Sequence, residues 1–150
     1  MKLDRYEFDV YEEDTYVQYG FFSQGAKGMI KKLIRFDKFS DGFYNLSFGD
    51  SISGTKDFSD EIISNNGDTE KVLITVAEAI MKFSSVNPGV MINAEGSTPA
   101  RSRLYRFYLN KHRKIINKYF YTYGRFMNGD WEKFRKNENY IAFGGKRKNQ

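Results

Sequence analysis

The sequence predicts an α+β fold, a mainly antiparallel sheet carrying two helices, and three observations predict it. Aromatic residues make up 17% of the chain, with 11 tyrosines and 14 phenylalanines, and these residue types favour strands and supply large buried area. The N-terminal third is a series of β-rich stretches separated by turns containing Gly, Asn or Asp. Two later segments, about residues 69–85 and about residues 99–118, carry apolar residues at helical spacing. A chain of 150 residues suits one domain, 1–150, with a real hydrophobic core, and no repeat or linker divides it.

Taken in order, residues 6–10 alternate apolar and charged, as a half-buried strand does. Residues 15–22 predict a second strand, and Ser23-Gln24-Gly25-Ala26-Lys27-Gly28 a turn into a third over 29–36. In that third strand Ile30, Lys32, Ile34 and Phe36 share one parity, and Met29, Lys31, Leu33 and Arg35 the other. Neither is clean, so the buried face stays open. Asp41-Gly42 predicts the next turn, and residues 43–48 a fourth strand ending at Gly49-Asp50. An antiparallel meander is the simplest topology for this half.

Residues 51–67 are polar and turn-rich, and Asp68 is a good N-cap for the helix 69–85. Val72, Val76, Ile80 and Phe83 recur along it at helical spacing, widened by Leu73, Ala77 and Met81, which marks a core helix ended by Asn87-Pro88-Gly89. Val90-Met91-Ile92-Asn93-Ala94 reads as a buried strand. The basic helix 99–118 follows, with Ser97 or Thr98 as its cap, Pro99 at its first position and Asn110 as the point where it divides if it does. Residues 119–126 return to strand composition, Asn128-Gly129 makes a hairpin turn before Trp131, and Asn139–Phe143 is a last short strand. Residues 144–150 are expected as a mobile basic tail.

The net charge of +5 hides a split. Residues 1–95 hold 10 Lys+Arg and 16 Asp+Glu (10 − 16 = −6); residues 96–150 hold 14 and 3 (14 − 3 = +11). Such asymmetry is an argument about partners. The positive half suits nucleic acid, an acidic protein as in a toxin–antitoxin-like pair, or the negative half of a second copy in a homo-oligomer. Its candidate partner-binding face is Arg103, Arg106, Lys111, Arg113, Lys114 and Lys118, for which a merely solvated helix face is the competing reading.

Two loops share a design, a polar turn leading into a helix start. Free N–H groups there, with a neighbouring cation, make an anion site. The candidate ligand-binding residues are Asp50, Asn65, Asn66, Asp68 and Lys71 around the first, and Ser97, Thr98, Arg101, Arg103 and Arg106 around the second. Helix capping alone also explains the capping residues. Catalytic residues stay unassigned. The chain has no cysteine, which excludes disulfides and thiolate chemistry. His112 is the only histidine and sits among Lys111, Arg113 and Lys114, with nothing to mark it as a relay. No metal-ligand spacing, phosphate-binding Walker loop or nucleophile elbow is present, so neither metal nor cofactor is expected. The charged N-terminus and the lack of a long apolar run predict a cytoplasmic protein with no membrane partner.

Five stretches, Gly25-Ala26-Lys27-Gly28, Tyr44-Asn45-Leu46-Ser47-Phe48-Gly49-Asp50, Ser64-Asn65-Asn66-Gly67-Asp68, Lys71-Val72-Leu73-Ile74-Thr75-Val76-Ala77 and Gly96-Ser97-Thr98 with Arg101 to Arg106, resemble a bacterial family of uncharacterised proteins, a domain of unknown function of about this length. The resemblance covers nearly the whole chain and implies no activity. Residues 69–126 also look like the second half of an acetyltransferase fold of the GNAT kind, although Asn65-Asn66-Gly67-Asp68 stands where that fold keeps its pyrophosphate loop. The leading expectation is a non-enzymatic module that binds a phosphate-rich or acidic partner through its C-terminal half. The alternative is an enzyme, for example GNAT-like, with a nucleotide-like ligand between two helix starts.

Overall fold

The computed structural model describes residues 4–52, 58–59, 66–95 and 98–148, without the side chains of Phe58, Ser59 and Arg101. The chain is α+β with a mostly antiparallel sheet, and it forms two units whose segments alternate along the sequence.

Unit 1 comprises Met1–Asp37 and Ser47–Val86. Strand β1 (Asp9–Glu12) pairs antiparallel with β2 (Tyr16–Gly25). β2 pairs antiparallel with β3 (Gly28–Ser40) over a long register that runs from Tyr16↔Asp37 to Gly25↔Gly28. Asp41-Gly42 turns β3 into its neighbour β4 (Phe43–Ser51), whose far end carries the short β5 (Phe58–Ser59). Helix α1 (Thr69–Val86) closes the unit. It buries Val72, Thr75, Val76, Ala79 and Phe83 at helical spacing, and Phe83 stacks on Phe36 of β3 with ring centroids 4.1 Å apart. The unresolved parity of β3 has a physical cause. Lys32, Leu33 and Ile34 are consecutive and all buried, so both faces are covered at mid-strand.

The first strand begins three residues later than the alternation at 6–10 suggests. Tyr6 leaves the ladder and is buried instead, its backbone N–H donating to Thr75 Oγ1 of α1 at 2.9 Å.

Unit 2 comprises Lys38–Leu46 and Asn87–Gln150. Strand β6 (Met91–Glu95) lies parallel to the first half of β4, from Phe43↔Met91 to Leu46↔Ala94. Helices α2 (Pro99–Lys111) and α3 (Arg113–Tyr119) follow, then β7 (Phe120–Arg125), β8 (Trp131–Lys133) and β9 (Ala142–Arg147). β9 enters between β6 and β7, antiparallel to both, and β8 pairs with β7. Phe143 of β9 packs with Phe134 and Tyr140, and with Tyr105 and Leu109 of α2, to make this unit's core.

Two expectations change here. The basic helix breaks at His112 rather than Asn110, because the backbone there (φ −107°, ψ 21°) leaves helical geometry. Residues 144–147, expected as tail, belong to β9. Gly144-Gly145 reads as a breaker in isolation, yet glycine also belongs in strands where another group approaches closely. Here the Trp131 ring lies over Gly144, and Phe120 sits 3.7 Å from where a Gly145 Cβ would stand. Among the described residues, no helix is long and apolar enough to cross a membrane.

Candidate functional site

Cross-strand partners in a sheet point to the same face, so the registers of unit 2 sort its side chains. One row reads Phe43, Met91, Lys146, Tyr121 across β4, β6, β9 and β7. The next reads Asn45, Asn93, Gly144, Tyr123, Lys133, and a third Glu95, Ala142, Arg125, Trp131. The opposite face carries Phe143 and the α2 contacts. The face made by the three rows holds a groove of about 520 Å³ lined by Phe39, Phe43, Tyr44, Asn45, Met91, Asn93, Tyr123, Arg125 and Trp131, with no helix residue among them.

The groove exists because the strand through its middle is narrow. β9 contributes only Ala142 and Gly144 to two of the three rows, and a Cβ on Gly144 would stand 3.2 Å from the Trp131 ring and 3.5 Å from Met91 Sδ. The walls are aromatic and open to solvent: Trp131 is 47% exposed, Phe43 52% and Phe39 76%. Side chains of that size are rarely gathered on a solvent face without a use. The Arg125 guanidinium lies 5.8 Å from the Trp131 ring centroid and 3.3 Å from Glu95 Oε1. Lys133 and Lys146 are exposed and share the face. Asn93 Nδ2 donates to Asn45 Oδ1 at 3.1 Å, while Asn93 Oδ1 is buried and has no hydrogen-bond partner among the described residues.

A support behind β7 holds Trp131 in position. The ring of Tyr140 presses flat on Gly124, where no side chain intervenes. Its hydroxyl donates to Glu132 Oε2 at 2.6 Å and accepts from the Arg135 backbone N–H at 2.9 Å, which anchors the strand that presents Trp131. Arg135 also donates to Glu132. These bonds, from Arg135 first and Tyr140 second, hold the Glu132 carboxyl below its usual range; burial, and then Glu132, push the Tyr140 phenol up.

Unit 1 contains a second polar cluster, which is closed. Lys32 is 1% exposed and its ammonium meets Asp50 Oδ1 at 2.5 Å. Asp68, directly before α1, accepts through Oδ2 from the hydroxyls of Tyr6 (2.5 Å) and Ser23 (2.6 Å). Burial alone would raise the Asp68 pKa, but these two hydroxyls and the charge of Lys32 hold it below the ordinary value. Asn66 donates to Ser23 Oγ and to the Gly28 carbonyl, and its own Oδ1 accepts from the Lys27 N–H. The cluster ties the β2–β3 hairpin to the start of α1.

Of the residues singled out around the first loop, Asp50, Asn66 and Asp68 thus belong to this closed cluster. Lys71 lies over the Tyr6 ring, 4.3 Å from its centroid, and 3.6 Å from Asp4. Asn65, Ser97 and the Arg101 side chain lie outside the described residues. Thr98, Arg103 and Arg106 belong to unit 2. Arg106 is engaged, donating to the Glu138 carbonyl at 3.2 Å and to Asn139 Oδ1 at 2.9 Å. Arg103, Lys111, Arg113, Lys114 and Lys118 are exposed. The groove residues Asn45, Asn93, Tyr123 and Trp131 are not among the candidates read from the sequence. The available signal was Tyr121-x-Tyr123-x-Arg125, which places aromatic, aromatic and cation on one strand face at period two.

No curated protein and no solved structure matches the chain at a significant level. Its sequence does match one family model from residue 2 to residue 148, and on that near-complete match the chain belongs to DUF6934, a family of unknown function.

Proposed function

We propose that unit 2 binds single-stranded nucleic acid along the groove-bearing face of its sheet. Bases lie against the aromatic groove, and phosphates are drawn to Arg125, Lys133 and Lys146. The observation that carries this reading is the coincidence, on one face of this unit's sheet, of exposed rings with exposed cations. Rings offer stacking to any base, and stacking requires bases that are not paired in a duplex. The cations supply the sequence-independent attraction. The exposed Arg103, Arg113 and Lys114 of the helices add long-range steering toward a polyanion, while Arg106 is held by Glu138 and Asn139.

The test is fluorescence anisotropy with a labelled mixed-sequence single strand and the matching duplex, at several salt concentrations. Loss of one stacking ring costs about 1–3 kcal/mol per base, so Trp131→Ala should weaken single-strand binding about fivefold or more. Lys133→Gln with Lys146→Gln should reduce the slope of log K against log salt by about 1.4, since each phosphate contact contributes about 0.7 for single strands. Arg113→Gln, Lys114→Gln and Lys118→Gln together should leave the Trp131 dependence intact. Binding that vanishes in this helix triple variant but survives Trp131→Ala would move the contact to α2 and α3. Absence of binding to either nucleic acid would overturn the reading.

A further inference from the structure

We infer that the bound strand runs lengthwise along β7, one nucleotide to each of three rows of the face, so that the ligand is an unpaired stretch as short as three nucleotides. This rests on the nucleic-acid reading of the same face and adds a path and a footprint to it. Each of the three rows sets one ring beside one cation, as neighbours across paired strands. Trp131 stands opposite Arg125, Tyr123 opposite Lys133, and Tyr121 opposite Lys146. Tyr121, Tyr123 and Arg125 alternate along β7 and so point to one side. Trp131 starts on β8, but its ring reaches Gly144 on β9, which carries it over β7 and into line with the two tyrosines. Trp131 and Tyr121 are each 47% exposed, and Lys133 and Lys146 are exposed beside them.

Spacing decides the direction. Successive rows on one strand lie about 6.8 Å apart, twice the ~3.4 Å rise per residue. An unstacked single strand extends to about twice the ~3.4 Å that one nucleotide occupies in a duplex, so base and phosphate recur at the interval of the rows. A path across the strands meets no such repeat. In the row shared by Phe43 and Tyr121, Met91 and Lys146 intervene, which puts the two rings about 14 Å apart at ~4.8 Å per strand. Charge also grades along β7. Glu95, the one carboxylate in these rows, holds Arg125 at 3.3 Å, while at the other end Lys148 adds a cation 5.1 Å from the Tyr121 ring centroid. The elements that build that end, α3, β7 and β9, contain no carboxylate, so nothing on them repels the phosphates that leave the groove.

The experiment titrates the fluorescence of Trp131, the only tryptophan, with unlabelled dT strands of two, three, four, six and twelve nucleotides. In the wild type, adding the third nucleotide should tighten binding about fivefold or more, the worth of one stacking contact. Beyond three, affinity should rise only with the number of registers in which three nucleotides fit. Tyr121→Ala with Lys146→Gln removes one row, and the step from two to three nucleotides should disappear. Phe43→Ala, in the same row on β4, should leave that step in place. All three side chains are exposed, and melting curves check that the variants fold. A wild type with no break at three, a step that survives in the double variant, or a step lost in Phe43→Ala overturns the lengthwise path. Binding of the twelve-nucleotide strand then leaves the nucleic-acid reading standing. A wild type that binds none of the strands overturns both.

Discussion

Gly124 and Gly144 lie in neighbouring strands of the same sheet, and the structure predicts opposite responses to the same substitution. Neither has a left-handed φ, so an alanine backbone fits at both, and what the new methyl meets decides the result. At Gly124 the Cβ would overlap the Tyr140 ring at three of its carbons. That ring is 2% exposed, lies among Phe126, Phe134 and Phe143, and has its hydroxyl bonded to Glu132 and Arg135. Overpacking of this kind costs about 1–3 kcal/mol, and displacing the ring adds about 1 kcal/mol for each of two hydrogen bonds. The smaller entropy of an unfolded alanine offsets about 0.4–1 kcal/mol. The net loss for Gly124→Ala is therefore about 3 kcal/mol. At Gly144 the methyl meets the Trp131 edge at 3.2 Å, but that ring is 47% exposed and can tilt outward. Crowding and the entropy gain then nearly cancel, to within about 0.5 kcal/mol. At about 2–4 °C per kcal/mol for a chain of this size, Gly124→Ala should melt about 6–12 °C lower and Gly144→Ala within about 2 °C of the wild type. Trp131 is the only tryptophan, so its fluorescence reports the unfolding of unit 2 directly in both urea and thermal titrations. Gly124→Ala no less stable than Gly144→Ala would refute the packing argument.

Two further predictions concern unit 1. The folded Asp68 carboxyl sits below its ordinary value, so it binds a proton less readily than in the unfolded chain. Its contribution is then complete above the ordinary carboxylate pKa of 3.8 and is lost as pH falls below it. Asp68→Asn should cost about 1–2 kcal/mol at pH 7, from weakened bonds to Tyr6 and Ser23, with the gap narrowing below about pH 4. Urea midpoints measured across pH check this, and a gap that widens toward acid would contradict the assignment. Lys32→Met should cost about 3 kcal/mol, because it removes the ammonium beside a carboxylate whose side chain is 13% exposed; a loss under about 1 kcal/mol would show that Asp50 gains little from the pair.

What could be read in the sequence, and what could not, divides by the range of the signal. Helix α1 was legible because its apolar period is local and its ends are marked by Asp68 and by Asn87-Pro88-Gly89. Charge was legible as an asymmetry but not as a surface. The stripe read along the basic helix includes Arg106, whose guanidinium is taken by residues more than thirty positions away, and the exposed cations on the groove's face, Lys133 and Lys146, come from β8 and β9. The groove itself had no local signature, since it requires Gly144 to fall between Asn93 and Tyr123, and those pairings join distant parts of the chain. Reading Gly144-Gly145 as the start of a tail removed the strand on which the whole face depends. One anomaly was nevertheless in plain view. Val90-Met91-Ile92-Asn93-Ala94 is an apolar strand interrupted by an amide, and a residue that breaks the local pattern of its element marks either a compensated defect or a site. Asn45 compensates half of it, through Nδ2. The other polar end of that amide, Oδ1, is buried with no hydrogen-bond partner among the described residues, so the pattern break at Asn93 is only partly compensated within the sheet.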